Sequence, residues 1–298
     1  MRSRQCARQH GVQQQETFMT LYRASASDGI AWVTGASSGI GSQLALDLAS
    51  AGYTVAATAR SEDALTKLAA EGASGQGRIV PFPCDVTEAA AMERTVAAIE
   101  RELGPIVLAV LNAGIYLPVR GDALVVDKFV DTYRVNVFGV IHGLVPVVHS
   151  MQERGFGHIA IIGSVAGYRG LPLAAAYGGT KASLNYLAAA LKFDLDRMNI
   201  RIQIVNPGFV RTPATAGNKF RMPALLEVGE ASRRIIRGLE KGGFEVCFPR
   251  RLAWTLKVVD LLPHGLYFPL LGRAMGWNRR TMRREPPAIG SAEAERMD

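Results

Sequence analysis

A chain of 298 residues with 48% apolar content can bury a substantial core, as one large domain or two small ones. Its net charge of +8 resembles a nucleic-acid footprint, yet residues 28–249 carry only +1, while residues 1–27 carry +3, residues 250–284 carry +7 and residues 285–298 carry −3. That distribution excludes a basic groove across the fold and disfavours a nucleic-acid partner. Three scattered cysteines, Cys6, Cys84 and Cys247, have neither metal-ligand spacing nor a disulfide framework and point to a reducing, cytoplasmic setting.

Short apolar runs alternate with helix-length amphipathic stretches. "IAWVTGAS" (30–37) reads as a buried strand entering a turn, with a helix from Ile40 to Ala51 behind it. Strands follow at 53–60, 78–86 and 106–114, separated by helices near 62–71 and 88–103. A long helical region covers 123–153, a fifth strand 157–167, a helix 176–198, and further strands 201–208 and 244–249. This alternation predicts parallel pairing through right-handed crossovers, hence a doubly wound α/β sheet of about seven strands in a three-layer sandwich. Ligands of such sheets lie beyond the carboxyl ends of the strands, where strand order reverses. Gly35, Arg60, Asp85, Asn112, Ser164 and Pro207 all fall at those ends.

The folded domain is accordingly placed at residues 28–249, between an extension at 1–27, expected to be disordered, and a basic, partly amphipathic one at 250–298. "MRSRQCARQHGVQQQETF" lacks the apolar centre of a secretory signal. Its Arg-rich, nearly acid-free composition leaves a transit peptide or a tail before a start at Met19. No run of eighteen apolar residues occurs, which argues against a spanning helix.

"TGASSGIG" (34–41) joins the first strand to the first helix. A pyrophosphate needs backbone N–H groups close by and a helix N-terminus aimed at it, and glycines permit that approach. Gly35, Ser37, Ser38, Gly39, Ile40 and Gly41 are the candidate cradle. The second strand ends Thr58-Ala59-Arg60 with no carboxylate before Glu62. An acid there would grip a ribose 2′-hydroxyl, whereas Arg60 pairs with a 2′-phosphate, so NADP is expected in preference to NAD.

Asn136, Ser164, Tyr177 and Lys181 can face one crevice. With "TGASSGIG", "CDV" (84–86), "LNAG" (111–114), "IGSVAG" (162–167), the Tyr-x-x-x-Lys pair and "NPGFVRT" (206–212), they make residues 28–249 resemble the short-chain dehydrogenase/reductase family, whose fold is Rossmann-like. Reduction of a carbonyl creates an alkoxide that must be protonated as it forms, and Tyr177 can be that acid. A free phenol has a pKa of about 10, and the charge of Lys181, one turn on, beside the nicotinamide cation is expected to favour the phenolate and lower it. Ser164 would hydrogen-bond the substrate oxygen. The resemblance further implies that Lys181 holds the nicotinamide ribose and that Asn136 supports a water-mediated proton relay, although a structural hydrogen bond inside its helix is the other reading. It also places Asp85 and Val86 beside the adenine, and Asn112, Ala113 and Gly114 along the cofactor wall. Pro207, Gly208, Val210 and Thr212 fall at the carboxamide, and a homodimer or homotetramer is implied. Leu111 and Gly163 depart from the family pattern, which has Asn and Ser there, without removing a reacting group.

The chain therefore reads as an NADP-dependent oxidoreductase of a ketone/secondary alcohol pair. An NAD-dependent alcohol dehydrogenase and a catalytically silent nucleotide-binding scaffold are the rivals, and the complete polar set counts against the second. His142, His149, His158 and His264 form no metal-binding motif, so no metal is expected. The segment 213–230, with Phe220, Met222, Leu225 and Leu226, is expected to close over a lipophilic substrate, and Tyr116 and Tyr168 to border it. Residues 250–284 mix Trp254, Leu261, Phe268 and Trp277 with eight basic residues. Such a segment suits an anionic membrane surface, or else packs as an arm on the body or a dimer partner.

Overall fold

The computed structural model describes residues 21–217, 222–279 and 281. Seven strands form one sheet: β1 (Ile30–Thr34), β2 (Thr54–Thr58), β3 (Arg78–Pro81), β4 (Ile106–Leu111), β5 (Gly157–Ile162), β6 (Ile200–Pro207) and β7 (Glu245–Phe248). Their order is β3-β2-β1-β4-β5-β6-β7, every pair parallel. β1, β4, β5 and β6 are buried throughout, as strands covered on both faces must be. The chain reverses its direction of winding between β1 and β4, and that pair of carboxyl ends opens a cleft.

Two helical layers cover the sheet. On one face lie α1 (Gly39–Ser50), α2 (Glu62–Glu71) and α8 (Val228–Lys241), packing Leu44, Leu48, Leu65, Ile235 and Leu239 onto it. On the other lie α3 (Ala89–Leu103), α5 (Gly139–Arg154) and α6 (Ala175–Arg197), through Met92, Ile99, Leu144, Met151 and Leu184. Trp32 of β1 is wholly buried in this second layer. Burying an indole of roughly 200 Å² is worth about 5 kcal/mol, and its N–H avoids a desolvation penalty of about 1–3 kcal/mol by donating to Thr58 Oγ1 at 2.9 Å.

The long helical region is α4 (Val126–Tyr133) running through a π-helical turn, Arg134–Phe138, into α5. By length and composition alone Val126–Arg154 could cross a membrane; in the fold, Val140, Leu144, Val147 and Met151 pack it against the sheet. The short α7 (Pro213–Ala216) follows β6.

The N-terminal end departs from expectation, whereas the C-terminal one matches the reading of an arm packed on the body. Residues 21–27 are not a free tail: Arg201 on β6 donates to the carbonyls of Leu21 and Tyr22, at 2.6 and 2.8 Å, and Tyr22 N–H donates to Asn199. The expected disordered extension 1–27 is corrected there; residues 1–20 lie outside the described set. Beyond β7 the extension forms α9 (Arg250–Asp260) and α10 (His264–Ala274), which pack on the body. Lys257 of α9 forms an ion pair with Glu245 of β7, which also accepts from Tyr168 Oη at 2.6 Å and Asn206 Nδ2 at 2.8 Å. Tyr168 is thus held in this polar cluster and does not border the substrate end.

Candidate active site

A cleft of 1160 Å³ runs across the carboxyl ends of the strands, larger than the roughly 300–1,000 Å³ of a drug-sized ligand's pocket. Its volume suits a dinucleotide and a second molecule together. Seen from β1, one end is built from the loop into α1, where Gly35 and Gly39 have φ of +66° and +59°. Ser38 is the residue before α1, and its side chain caps none of that helix's N–H groups. The first turn is left open to an anionic acceptor, which is what a pyrophosphate requires.

Gly35, Ser37, Ser38, Gly39, Ile40, Arg60, Asp85, Val86, Asn112, Ala113, Gly114, Pro207, Gly208, Val210 and Thr212 all line the cleft. Gly41 does not. It is buried, and a Cβ there would press on the Gly35 carbonyl oxygen and come within 2.5 Å of Asn112 Nδ2. Its part is to let α1 pack against the loop and not to touch a ligand. Thr34, which the sequence reading passed over, ties the wall together: its Oγ1 accepts from the N–H groups of Asn112 and Ala113 at 2.9 and 3.2 Å. The position at the very end of β1 was the available signal.

Arg60 is exposed at the rim, with no hydrogen bond or ion pair among the described residues. Asp85 is spoken for locally, its Oδ1 accepting from the N–H and hydroxyl of Thr87, both at 2.9 Å. His142 Nδ1 lies 2.9 Å from the Val86 carbonyl oxygen, and His158 on β5 lies 2.7 Å from Gln203 on β6. Burial pushes His158 down to about 4.

Ser164, Tyr177 and Lys181 meet at the middle of the cleft. Ser164, in extended backbone after β5, accepts from the Ala166 N–H at 3.1 Å and donates a long 3.5 Å bond to the Pro207 carbonyl. Tyr177 and Lys181 are one turn apart on α6, with the ammonium 5.6 Å from the phenol ring centroid. Lys181 is 3% exposed and donates to the Ile162 carbonyl at 2.7 Å, leaving two of its three N–H bonds for other acceptors. Burial pulls its pKa down to about 8.

Burial raises the pKa of Tyr177, the Ser164 hydroxyl opposes the rise, and Tyr116, packed edge-on at a centroid distance of 5.2 Å, adds to it. Desolvation wins over the neighbouring hydroxyl, and the phenol is held protonated through neutral pH.

Asn136 does not line the cleft either. Fully buried in the π-helical turn, it accepts from the Ile115 N–H at 2.7 Å and donates to the Ile115 carbonyl at 2.9 Å and to Thr180 Oγ1 at 3.2 Å. Through these bonds Asn136 clamps the strand-four loop to α6.

The far end of the cleft is apolar. Tyr116, Leu171, Pro172, Phe209 and Pro223 line it with Leu252, Leu256, Leu271, Ala274 and Met275 from the C-terminal helices. From the expected flap at 213–230, Pro213, Ala214, Thr215 and Pro223 line the cleft, and residues 218–221 lie outside the described residues. Leu226 is buried in the core beside Val210, Leu225 and Met222 are not among the lining residues, and Phe220 lies outside the described residues. The C-terminal contribution was missed, because a helical apolar pattern does not reveal its partner.

A dinucleotide-shaped cleft at the switch point of a parallel sheet, with a phenol and an ammonium at its centre, defines a nicotinamide-dependent oxidoreductase class. The family model for short chain dehydrogenase matches residues 29–221, and the chain belongs to that family, NAD(P)-dependent oxidoreductases acting on CH–OH groups. It is 36% identical over 237 residues to an uncharacterized oxidoreductase of Myxococcus xanthus, covering 80% of this chain and 94% of that one. It is similar in structure to a short-chain type dehydrogenase/reductase from Mycobacterium marinum, with a TM-score of 0.69, 28% identity, and 75% and 94% of the two chains covered. It also resembles an alcohol dehydrogenase of the archaeon Thermococcus sibiricus complexed with 5-hydroxy-NADP, at TM-score 0.67, 27% identity, and 74% and 95% coverage.

Proposed function

We propose that the protein is an NADP(H)-dependent oxidoreductase interconverting a lipophilic ketone and its secondary alcohol. The observation that carries this reading is the convergence of Ser164, Tyr177 and Lys181 between a glycine-built nucleotide end and an apolar end of one cleft. The glycine loop and open first turn of α1 fit a pyrophosphate, and Arg60 at the rim fits a 2′-phosphate better than a bare hydroxyl. The 5-hydroxy-NADP bound by the Thermococcus sibiricus neighbour supports the same choice.

When bound, a nicotinamide dinucleotide supplies the hydride and, once oxidised, a positive charge beside the phenol. The chain's own residues do the rest. Tyr177, kept protonated by burial, donates its proton to the substrate oxygen. Ser164 exchanges its long bond to Pro207 for one to that oxygen and stabilises the charge developing there. Lys181 offers its two remaining N–H bonds to ribose hydroxyls, and below about pH 8 its charge favours the phenolate left behind. Asn136 acts on position, fixing Ile115 and α6 relative to each other. The domain assignment 28–249 is extended at both ends: residues 21–27 tie to β6, and the helices after Pro249 complete the cleft. A homodimer or homotetramer is the assembly the family resemblance implies.

A screen of ketones and secondary alcohols with both cofactors, followed by absorbance of the reduced nicotinamide, tests the reading. Arg60→Ala is expected to weaken NADPH at least tenfold and NADH little. Equal losses would remove Arg60 from the 2′-phosphate.

A further inference from the structure

The C-terminal helices have two faces. Leu252, Leu256 and Leu271 look into the cleft, whereas Trp254, Val258 and Leu261 of α9 and its end, spaced four and three apart, are 63, 61 and 84% exposed. Leu266, Phe268 and Leu270 of α10 are exposed as well. Six large apolar side chains on two short helices exceed the scatter normal for a surface. Met275 belongs to both faces, lining the cleft while 38% exposed.

The charge around this face is mostly positive. Arg250, Arg251, Arg273 and Arg279 are exposed, with no ion pair among the described residues. The single acid of residues 250–284, Asp260, faces the Arg169 guanidinium at 3.6 Å. A second exposed apolar region, on α4 and α5, includes Val126, Val130 and Phe138, but Asp127 and Asp131 balance Lys128 and Arg134 there. Of these two faces, the C-terminal one pairs apolar exposure with an excess of positive charge among the described residues.

The helices are also fixed to the catalytic body. Arg169, after β5, donates to the carbonyls of Val259, Asp260 and Leu262, closing the carboxyl end of α9, and lies 4.0 Å above the Tyr267 ring. Tyr267 Oη donates to the Gly170 carbonyl at 2.7 Å, and Lys257 joins Glu245. Whatever holds the outer face therefore orients the cleft.

We propose that the outer face of α9 and α10 docks on an anionic lipid surface, so that a bilayer-dissolved substrate enters the cleft past Met275. Apolar residues insert at the interface while the arginines meet lipid phosphates, the combination that holds amphipathic helices in the plane of a membrane. The substrate-entry clause rests on the lipophilic-ketone reading above; the docking does not.

The test is flotation of the full chain with vesicles of phosphatidylglycerol and phosphatidylcholine, against vesicles of phosphatidylcholine alone, without cofactor or substrate. Binding to the anionic vesicles is expected, reduced about tenfold or more in Arg250→Glu/Arg251→Glu/Arg273→Glu and in Trp254→Ser/Leu261→Ser/Phe268→Ser. Circular dichroism and the turnover of a water-soluble ketone, expected unchanged in the apolar variant, show that it is folded. No binding by the wild type, or equal binding by the variants, overturns the proposal. So does a wild-type oligomer that the apolar variant dissociates while flotation stays the same, which assigns the face to a second copy. Failure of every ketone with intact flotation would refute the substrate reading and leave the docking standing.

Discussion

The two ends of the cleft are built on opposite principles. At the nucleotide end, small residues and backbone groups do the work: Gly35 and Gly39 adopt conformations open to glycine, Gly41 lets a helix touch a loop, and Thr34 knits two strand ends together. At the substrate end, large side chains on two added helices face inward, held by a few polar ties. The first design binds a group whose shape never changes. The second can be altered residue by residue without disturbing the sheet. Tyr177 sits where they meet.

That contrast can be pressed experimentally. Tyr177→Phe removes the shared acid and leaves both ends intact; turnover should fall by about 10³-fold or more, with NADPH binding, followed by its fluorescence, nearly unchanged. Gly41→Ala attacks only the nucleotide end. Because its Cβ meets backbone that cannot yield, the dissociation constant for NADPH should rise more than tenfold and the melting temperature fall. Arg169→Ala attacks only the substrate end. The partly exposed pair with Asp260 contributes under about 1 kcal/mol, but the carbonyl cap and the stack on Tyr267 are lost together. The KM of a lipophilic ketone should rise severalfold while that of NADPH and kcat hold. If Arg169→Ala instead weakened NADPH as much as the ketone, the two ends would not be separable.

How far the sequence carried the account follows the same division. The alternation of strands and helices, and the polar or glycine residue at each strand end, fixed the sheet and the nucleotide wall, because those depend on local geometry. The strand readings 78–86, 106–114 and 157–167 are too long, since apolar runs continue into turns that line the cleft. Asn136 lay within a correctly placed helix, but nothing in its neighbours announced a π-helical turn. The tuning of Tyr177 was read from charge alone, whereas burial, which only the fold reveals, acts in the opposite direction. The C-terminal helices were legible as amphipathic but not as the cleft's wall: the periodicity of Leu252 and Leu256 gives a face, while Arg169 and Glu245, far away in sequence, decide what it covers. At Gly163, a Cβ would lie 2.3 Å from Asn206 Oδ1.

The most direct test of the central claim is isotopic. With NADPH deuterated at the transferring position of its nicotinamide and a lipophilic ketone that the enzyme turns over, the alcohol formed should carry one deuterium on the carbinol carbon, even in ordinary water. An alcohol whose carbinol hydrogen comes from solvent, or nicotinamide consumed without labelled product, would contradict the account.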